Sequence, residues 1–594
     1  MSYRAPVGDI AFTLRQAAGP LEGELTQDVI DAVLEEAGRF ASEVIAPLNQ
    51  VGDRHGTPFK DGVVTMPPGW KEAYAAWSAA GWNSLAASPE WGGQGLPHLV
   101  NAACTEMWNS ASMAFGLGPL LTMAGIDALT AHGSEALKIR YLPKLISGEW
   151  PGTMQLTEPQ AGSDVGALRT RAVRAEDGSY RITGQKIFIT YGEHDLTDNI
   201  IHFVLARLPD APPGNKGISL FLVPKFLLNE AGNPDSCNDL RCHSIEHKLG
   251  VHASPTCTMV FGDNGGATGW LVGEENRGLT CMFTMMNSAR LAVGLQGVAI
   301  AERATQGAIE YANERKQGRA AGNNSAPIIL HPDVRRMLLT MRAYTKAARA
   351  ICYATAAAID RSHHGQDETA RNAAQERASL LTPVAKAFST DIGTEVASLG
   401  VQVHGGMGFI EETGAAQHYR DARIAQIYEG TNGIQAIDLV LRKLPLSGGA
   451  TVRLYLDELR KVANAVAASN DPGFGAAGRR LNEAVESLAR TTEWLLAQLR
   501  GSQEAALSGA TPYLRLFGVT AGGCALAAEA LAGLRMPSAA NGSGADDGSR
   551  VALARFFAEN IAVQAWGLEQ TVIEGGSSVM EAMSPPLAGV GQSA

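Results

Sequence analysis

The 594-residue sequence predicts an α+β fold, mostly α, and three observations predict it. Between residues 31 and 150 apolar residues recur at helical spacing. From 153 to 261 they run at shorter spacing between turn residues, the mark of a small antiparallel β domain. From 278 onward the helical pattern returns and continues almost to the end.

Residues 1–30 read as an N-terminal extension, in which 3–12 mixes apolar and polar residues suited to packing along another domain. Val29, Ala32, Val33, Ala37, Phe40 and Val44 predict a helix over 27–48. Further helices are predicted over 70–80, 99–116 and 120–132, with a loop at Pro89-Glu90-Trp91-Gly92-Gly93-Gln94-Gly95. The β region, 151–275, contains Ile187-Phe188-Ile189-Thr190, Ile201-His202-Phe203-Val204-Leu205 and Ile218-Ser219-Leu220-Phe221-Leu222-Val223. Asp177-Gly178, Thr183-Gly184 and Pro212-Pro213-Gly214 supply its turns. A helical domain over 276–445 follows, with helices expected at 334–362, 380–400 and 433–444, and Leu444-Pro445-Leu446-Ser447-Gly448-Gly449 as a linker. Residues 451–575 form a further helical domain. Val452, Leu456, Leu459, Ala463 and Val466 mark one helix, and Leu481, Val485, Leu488, Leu495 and Leu499 another. Two more are expected over 512–535 and 551–574, separated by the polar, glycine-rich 538–549, and 576–594 reads as a flexible tail.

Sixty acidic against 49 basic residues give a net charge of −11, which argues against general nucleic-acid binding. The seven cysteines are an odd number without a C-x-x-C, and read as free thiols in a reducing, cytoplasmic compartment. Residues 1–9 lack a basic run followed by an apolar core, so no secretory signal is visible. The apolar region 113–126 is interrupted by Gly116, Gly118 and Pro119 and reads as too short for a membrane span. His243-Ser244-Ile245-Glu246-His247 has the spacing of a zinc motif, but that motif needs a helix and this segment is β-rich, so no metal is expected. Neither G-x-G-x-x-G nor G-x-S-x-G occurs.

The chemistry concentrates in Gln402 to Gln435. Gly405-Gly406-Met407-Gly408 can let a ligand approach the backbone. Tyr428-Glu429-Gly430-Thr431 places a carboxylate on a tight turn before a new helix. The residues themselves leave two readings open. Apolar neighbours would raise the pKa of Glu429 and suit it to general-base work; alternatively it is a glutamate in the first turn of a helix, favoured by the dipole. Arg290 and Arg315 are either solvated helix charges or guanidinium partners for phosphate.

Four blocks carry a resemblance to the acyl-CoA dehydrogenases. Gln402, Gly405, Gly406, Gly408, Phe409, Arg420, Asp421, Ala422, Arg423, Ile427, Tyr428, Glu429, Gly430 and Thr431 fall in register with that family's signature. The Pro89–Gly95 loop is the second block. Met154-Gln155-Leu156-Thr157-Glu158-Pro159-Gln160-Ala161-Gly162-Ser163-Asp164 is the third, with Gly184-Gln185-Lys186-Ile187-Phe188-Ile189-Thr190 as its companion. The fourth runs from Asn287-Ser288-Ala289-Arg290 to Tyr311-Ala312-Asn313-Glu314-Arg315. Met154, Phe188 and Gln317 depart from residues common in the family, which bears on the detail of the flavin environment.

The resemblance implies a helical N-terminal domain, a middle β domain and a four-helix-bundle domain holding FAD. Met154, Leu156, Thr157, Gly162, Ser163, Phe188, Thr190, Gln402, Gly405, Gly406 and Thr431 would contact the cofactor, and Arg315 would reach the pyrophosphate of a neighbouring subunit's flavin. Ser163, Asn287, Arg290, Tyr428 and Gly430 would bind substrate. The implied reaction, as in fatty-acid β-oxidation, is α,β-dehydrogenation of an acyl-CoA to a trans-2-enoyl-CoA. Glu429 takes the α-proton, hydride passes to flavin N5, and electrons leave to an electron-transfer flavoprotein. The Glu429 N–H would help bind the thioester oxygen. Some members carry the base at the position of Ala289, which cannot ionise, and this favours Glu429. The helices after 450 and Tyr3-Arg4-Ala5-Pro6 resemble larger members, among them the 3-methylmercaptopropionyl-CoA dehydrogenases. In those the extra domain covers a tetramer-forming surface, which implies a homodimer. The same fold leaves open an acyl-CoA oxidase and, from another class, a DNA-associated alkylation-response flavoprotein. The latter needs a basic face, and the C-terminal region has no dense Lys/Arg cluster.

Overall fold

Near residue 150 the spacing of apolar residues changes, and there the helix Glu135–Ile146 gives way to the strand Gly152–Gln155. The computed structural model describes residues 3–19, 26–320, 323–535 and 547–581. The chain forms two compact units, one of Pro6–Glu35 with Val293–Ala594 and one of Ser2–Ala5 with Glu36–Ala292.

The second, smaller unit combines helices with an eight-stranded sheet. Its order is Leu240–Ile245, Thr256–Phe261, Tyr180–Thr190, Ala267–Val272, Ile218–Pro224, Ile201–Arg207, Gly152–Gln155, with Arg171–Arg174 pairing the strands Tyr180–Thr190 and Ile201–Arg207. Pairings are antiparallel, as expected, except that Gly152–Gln155 runs parallel to Ile201–Arg207 and one parallel bridge joins Arg171 to Arg207. Period-2 alternation separates two cores. Ile201, Phe203 and Leu205 join Leu121, Ala124 and Ala128 on one side, while Val204 and Ala206 join Phe221 and Val223 on the other.

Met113–His132 is a single helix of 20 residues that runs through Pro119, which corrects the expected interruption. The break falls earlier, at Ser112 (φ −157°), whose Oγ accepts from Phe115 N at 3.4 Å and caps the new helix. The preceding helix, His98–Ala111, therefore ends before the expected 116. Among the described residues Met113–His132 and Ala510–Gly533 are long and apolar enough to cross a membrane, against the expectation. They are 83% and 78% buried inside the protein over their apolar windows, as core helices are.

In the larger unit the helices Pro332–His364 and Glu368–His404 pack along the part of Gly278–Glu314 that follows Val293. Glycines stand where the helices meet, with no room for a side chain. A Cβ on Gly297 would stand 2.2 Å from Ser389 O, and one on Gly393 2.8 Å from Gly297 O. Glu368–His404 begins twelve residues before the expected start, where Asp367 Oδ1 accepts from Ala370 N at 2.8 Å. That first stretch is exposed or half-buried except at Ala378 and is alanine-rich, so it helices by propensity without an apolar period to read.

The appended helices Ala450–Ala467, Ala477–Gln498, Ala510–Gly533, Asp547–Asn560 and Ala565–Glu581 belong to this unit. The expected helix over 551–574 is two, broken at Ile561 (φ −115°), and 576–581 is helical where a loose tail was expected. Residues 538–546 of the expected loop, and 582–594, lie outside the described residues. Ala510–Gly533 sits tightly on the bundle: a Cβ on Gly518 would meet Phe388 Cδ2 at 2.3 Å. Arg515 lies over the Tyr344 and Phe388 rings and binds Glu395 at 2.7 and 2.9 Å. The N-terminal helix Val7–Ala18 packs along Pro332–His364 within the same unit, where Lys346 Nζ meets Asp9 Oδ1 at 2.9 Å and Arg361 Nη2 donates to Ala17 O at 2.7 Å.

Candidate active site

In the larger unit the signature stretch forms two different turns. The later one carries Glu429 with φ +55° and Gly430 with φ +78°. A non-glycine residue held there costs about 1–3 kcal/mol, so surrounding groups must over-determine it. Gln435 Nε2 donates to Glu429 O at 3.1 Å and Gly430 O at 3.2 Å. Lys386 Nζ donates to Gly430 O at 3.0 Å and Asn432 Oδ1 at 2.8 Å. Lys386 and Gln435 are fully buried. Thr431 Oγ1 accepts from Ile434 N at 3.3 Å and caps the helix Asn432–Asp438. Glu429 thus precedes the helix cap, which removes the reading as a first-turn helix residue.

Glu429 is half-buried, with its Oε2 sealed from solvent. Ile427 is 48% exposed, so the apolar shelter expected from the chain neighbours does not come from that side chain. Tyr428 donates to Gln296 Oε1. Burial, and then the charge of Glu429, push the Tyr428 phenol far above its ordinary range, so it stays a neutral donor.

The earlier turn is the 3₁₀ segment Gly405–Phe409. Gly405 (φ +59°) and Gly406 are exposed, and a Cβ on either would meet nothing within 4 Å. Gly408 differs: a Cβ there would stand 2.2 Å from Val401 O. Gln402 is exposed, and Met407 and Phe409 are 48% and 85% exposed. Tyr311 stacks on His404 with centroids 4.5 Å apart, which joins the helix end preceding Arg315 to the helix end preceding Gly405. Arg315 is exposed. Beneath, His418 is buried and neutral, its pKa lowered to about 3 chiefly by burial.

In the smaller unit the segment after the strand Gly152–Gln155 is pinned to Tyr180–Thr190. Ile187 N donates to Thr157 O at 2.9 Å. Lys186, fully buried, meets Glu158 Oε1 at 2.8 Å, and Glu158 also accepts from Arg169 N, Thr170 N and Thr170 Oγ1 at 2.7, 3.1 and 2.6 Å. Burial alone would raise the Glu158 carboxyl; the Lys186 charge and these donors outweigh it and hold the pKa at about 2. Lys186 is pushed down to about 8 by burial, against the pull of Glu158. Phe188 falls in a bulge of its strand with φ +59°, and the residue is 60% exposed. Gly162 and Ser163 are exposed, Leu156, Thr157 and Thr190 half-buried, and Met154 is 7% exposed within the core. On the helix Gly278–Glu314, Asn287 is exposed while Arg290 and Ala289 are buried. His243 lies on the strand Leu240–Ile245, not on a helix.

Four consecutive descriptions match: "Acyl-CoA dehydrogenase, N-terminal domain" over 28–149, "middle domain" over 153–264, "C-terminal domain" over 276–444, and "Acetyl-CoA dehydrogenase C-terminal like" over 455–583. A 3-methylmercaptopropionyl-CoA dehydrogenase of Ruegeria pomeroyi is 49% identical over 98% of this chain and 100% of its own length. The chain belongs to the acyl-CoA dehydrogenase family. A butyryl-CoA dehydrogenase of Syntrophomonas wolfei is 37% identical over 75% of each chain. The solved acyl-CoA dehydrogenase of Bacillus anthracis, complexed with FAD, shares the fold with TM-score 0.74 at 20% identity, over 97% of this chain and 94% of that one.

The acyl-CoA dehydrogenases are FAD-dependent oxidoreductases, and the residues here fit that cofactor. Gly162, Gly405 and Gly406 leave open space where a side chain would stand, and the exposed Phe188 ring presents a flat apolar face. Exposed Arg315 offers a bidentate donor of the kind phosphate takes. Sequence reasoning missed Lys386, Gln435 and Asn432 as supports of the Glu429 turn. One signal was available: Lys386 is a lone cation within Val384-Ala385-Lys386-Ala387-Phe388, an otherwise apolar run.

Proposed function

We propose that Glu429 is the base that takes the α-proton of an acyl-CoA thioester, and that its backbone N–H donates to the thioester oxygen. The observation that carries this is the buried bracing of the Glu429–Gly430 turn by Lys386 and Gln435. When bound, FAD supplies the two-electron acceptor for the β-hydrogen. Met154, Leu156, Thr157, Gly162, Ser163, Phe188 and Thr190 hold its ring system, with Met154 contributing from the core. Gln402, Gly405, Gly406, Thr431 and Arg315 hold the remainder, Arg315 on a neighbouring subunit's cofactor. Asn287, Arg290, Ser163, Tyr428 and Gly430 bind the substrate.

The substrate we propose is 3-methylmercaptopropionyl-CoA or a short acyl-CoA like it, supported by the full-length identity to the Ruegeria pomeroyi enzyme. The electron acceptor is an electron-transfer flavoprotein, and the compartment is the cytoplasm. The domains run 31–150, 151–275, 276–445 and 451–575. The assembly is a homodimer, since the appended helix Ala510–Gly533 covers a face of the bundle through Gly518 and Arg515. An anaerobic screen of acyl-CoAs of graded length, methylthio-propionyl-CoA included, tests the substrate by flavin bleaching. Preference for a long straight chain would overturn it, and fast peroxide formation in air would replace the dehydrogenase with an oxidase.

A further inference from the structure

The turn that carries Glu429 does not hold its shape unaided. Two consecutive residues, Glu429 and Gly430, lie in the left-handed region. Glycine accepts that conformation freely, whereas glutamate is drawn back toward right-handed or extended backbone. Rotation at residue 429 would carry the carboxylate and the neighbouring peptide groups to new directions together. Whatever grips the carbonyls of this turn therefore sets where the base points.

We infer that Lys386 is that grip, a positioning residue for Glu429; this rests on the reading of Glu429 as the base. The ammonium has three donors, and two of them reach Gly430 O at 3.0 Å and Asn432 Oδ1 at 2.8 Å. Asn432 is fixed in its turn by donating to Asp391 Oδ1 at 2.7 Å and Thr390 Oγ1 at 3.0 Å. Gln426, on the other side of the turn, donates to the same Asp391 oxygen at 2.6 Å. Asp391 and Lys386 both stand on the helix Glu368–His404, little more than one turn apart. One rigid helix thus holds the chain before the base through Asp391 and after it through Lys386 and Asn432. A fully buried ammonium is costly, and a hydrogen bond from a charged donor is about twice as strong as a neutral one. That strength suits a strained turn. Gln435, a neutral donor to the same carbonyl, supplements the lysine.

The test uses FAD-loaded enzyme and the variants Lys386→Met and Lys386→Gln. Three quantities are read: FAD content, the rate of flavin bleaching on anaerobic mixing with substrate, and exchange into deuterated water of the α-proton of a bound acyl-CoA analogue without β-hydrogens. Lys386→Met should retain FAD, while bleaching and α-proton exchange both slow by about 100-fold, the cost of misplacing a reacting group by about 1 Å. Lys386→Gln keeps a donor without the charge and should fall between it and wild type, about 10-fold down. A purely structural lysine would lower FAD content and melting temperature and leave the exchange rate per bound flavin unchanged. Wild-type exchange in Lys386→Gln overturns the inference, and this variant decides if Lys386→Met does not fold. Failure of the wild type to bleach with any acyl-CoA would instead sink the reading of Glu429.

Discussion

The two turns of the signature stretch are opposites. The Glu429 turn is gripped from inside by Lys386 and Gln435, with backbone carbonyls facing buried donors. The glycine loop at 405–409 faces outward, with open space over Gly405 and Gly406 and an 85% exposed Phe409. One turn is held by buried donors of its own chain; the other is left open to solvent. On the proposed function, the first arrangement suits a fixed catalytic group, and the second leaves room for a cofactor or a second subunit. The loop of the smaller unit combines them. Glu158 anchors it through a buried ion pair, while Gly162 and Ser163 stay exposed.

That contrast can be broken at several points. The largest effect on stability is expected at the Glu158 anchor. Lys186→Met leaves a buried carboxylate without its cation and should cost about 3–5 kcal/mol in chemical denaturation. Because the Glu158 carboxyl is held at about 2 against an ordinary 4.5, its contribution is present above pH 4.5 and is lost as pH falls through 2. A wild-type denaturation midpoint in the variant would show that the pair does not anchor the loop. Next, Gly408→Ala drives a Cβ into a backbone carbonyl and should cost about 1–3 kcal/mol, read as a lower melting temperature. Arg315→Ala should weaken FAD retention by about tenfold and loosen the oligomer with it. Unchanged retention in dialysis would make Arg315 a surface charge only. Smallest of all, Gly406→Ala should leave stability within about 0.5 kcal/mol, though two residues from Gly408. An equal loss at 406 and 408 would erase the distinction between the inward and outward parts of the loop.

Much of the fold was legible because apolar spacing changes where the architecture changes, as at Ile201–Leu205 and again at Leu456–Val466. Helix ends were less so. The cap at Ser112 depends on one hydroxyl, and the alanine-rich start of Glu368–His404 offers no period to read. Parallel pairing of Gly152–Gln155 is a tertiary fact with no local signature. For the site, the residues proposed to contact a ligand sit in separate sequence blocks, each with a local pattern that could be read. The residues that hold Glu429 in place could not be read this way. Lys386 and Gln435 lie 43 residues before it and 6 after it, and only folding brings both to the same carbonyl.

The most direct test of the whole account is Glu429→Gln. The variant keeps the size, the backbone N–H and the contacts of Glu429 O, but cannot accept a proton at neutral pH. Mixed anaerobically with acyl-CoA, it should fold, hold FAD and bind the thioester with a perturbed flavin spectrum, while bleaching falls by ~10²–10⁴-fold or more, since no ionisable group stands at Ala289 to substitute. Bleaching at the wild-type rate would place the base elsewhere and contradict the account.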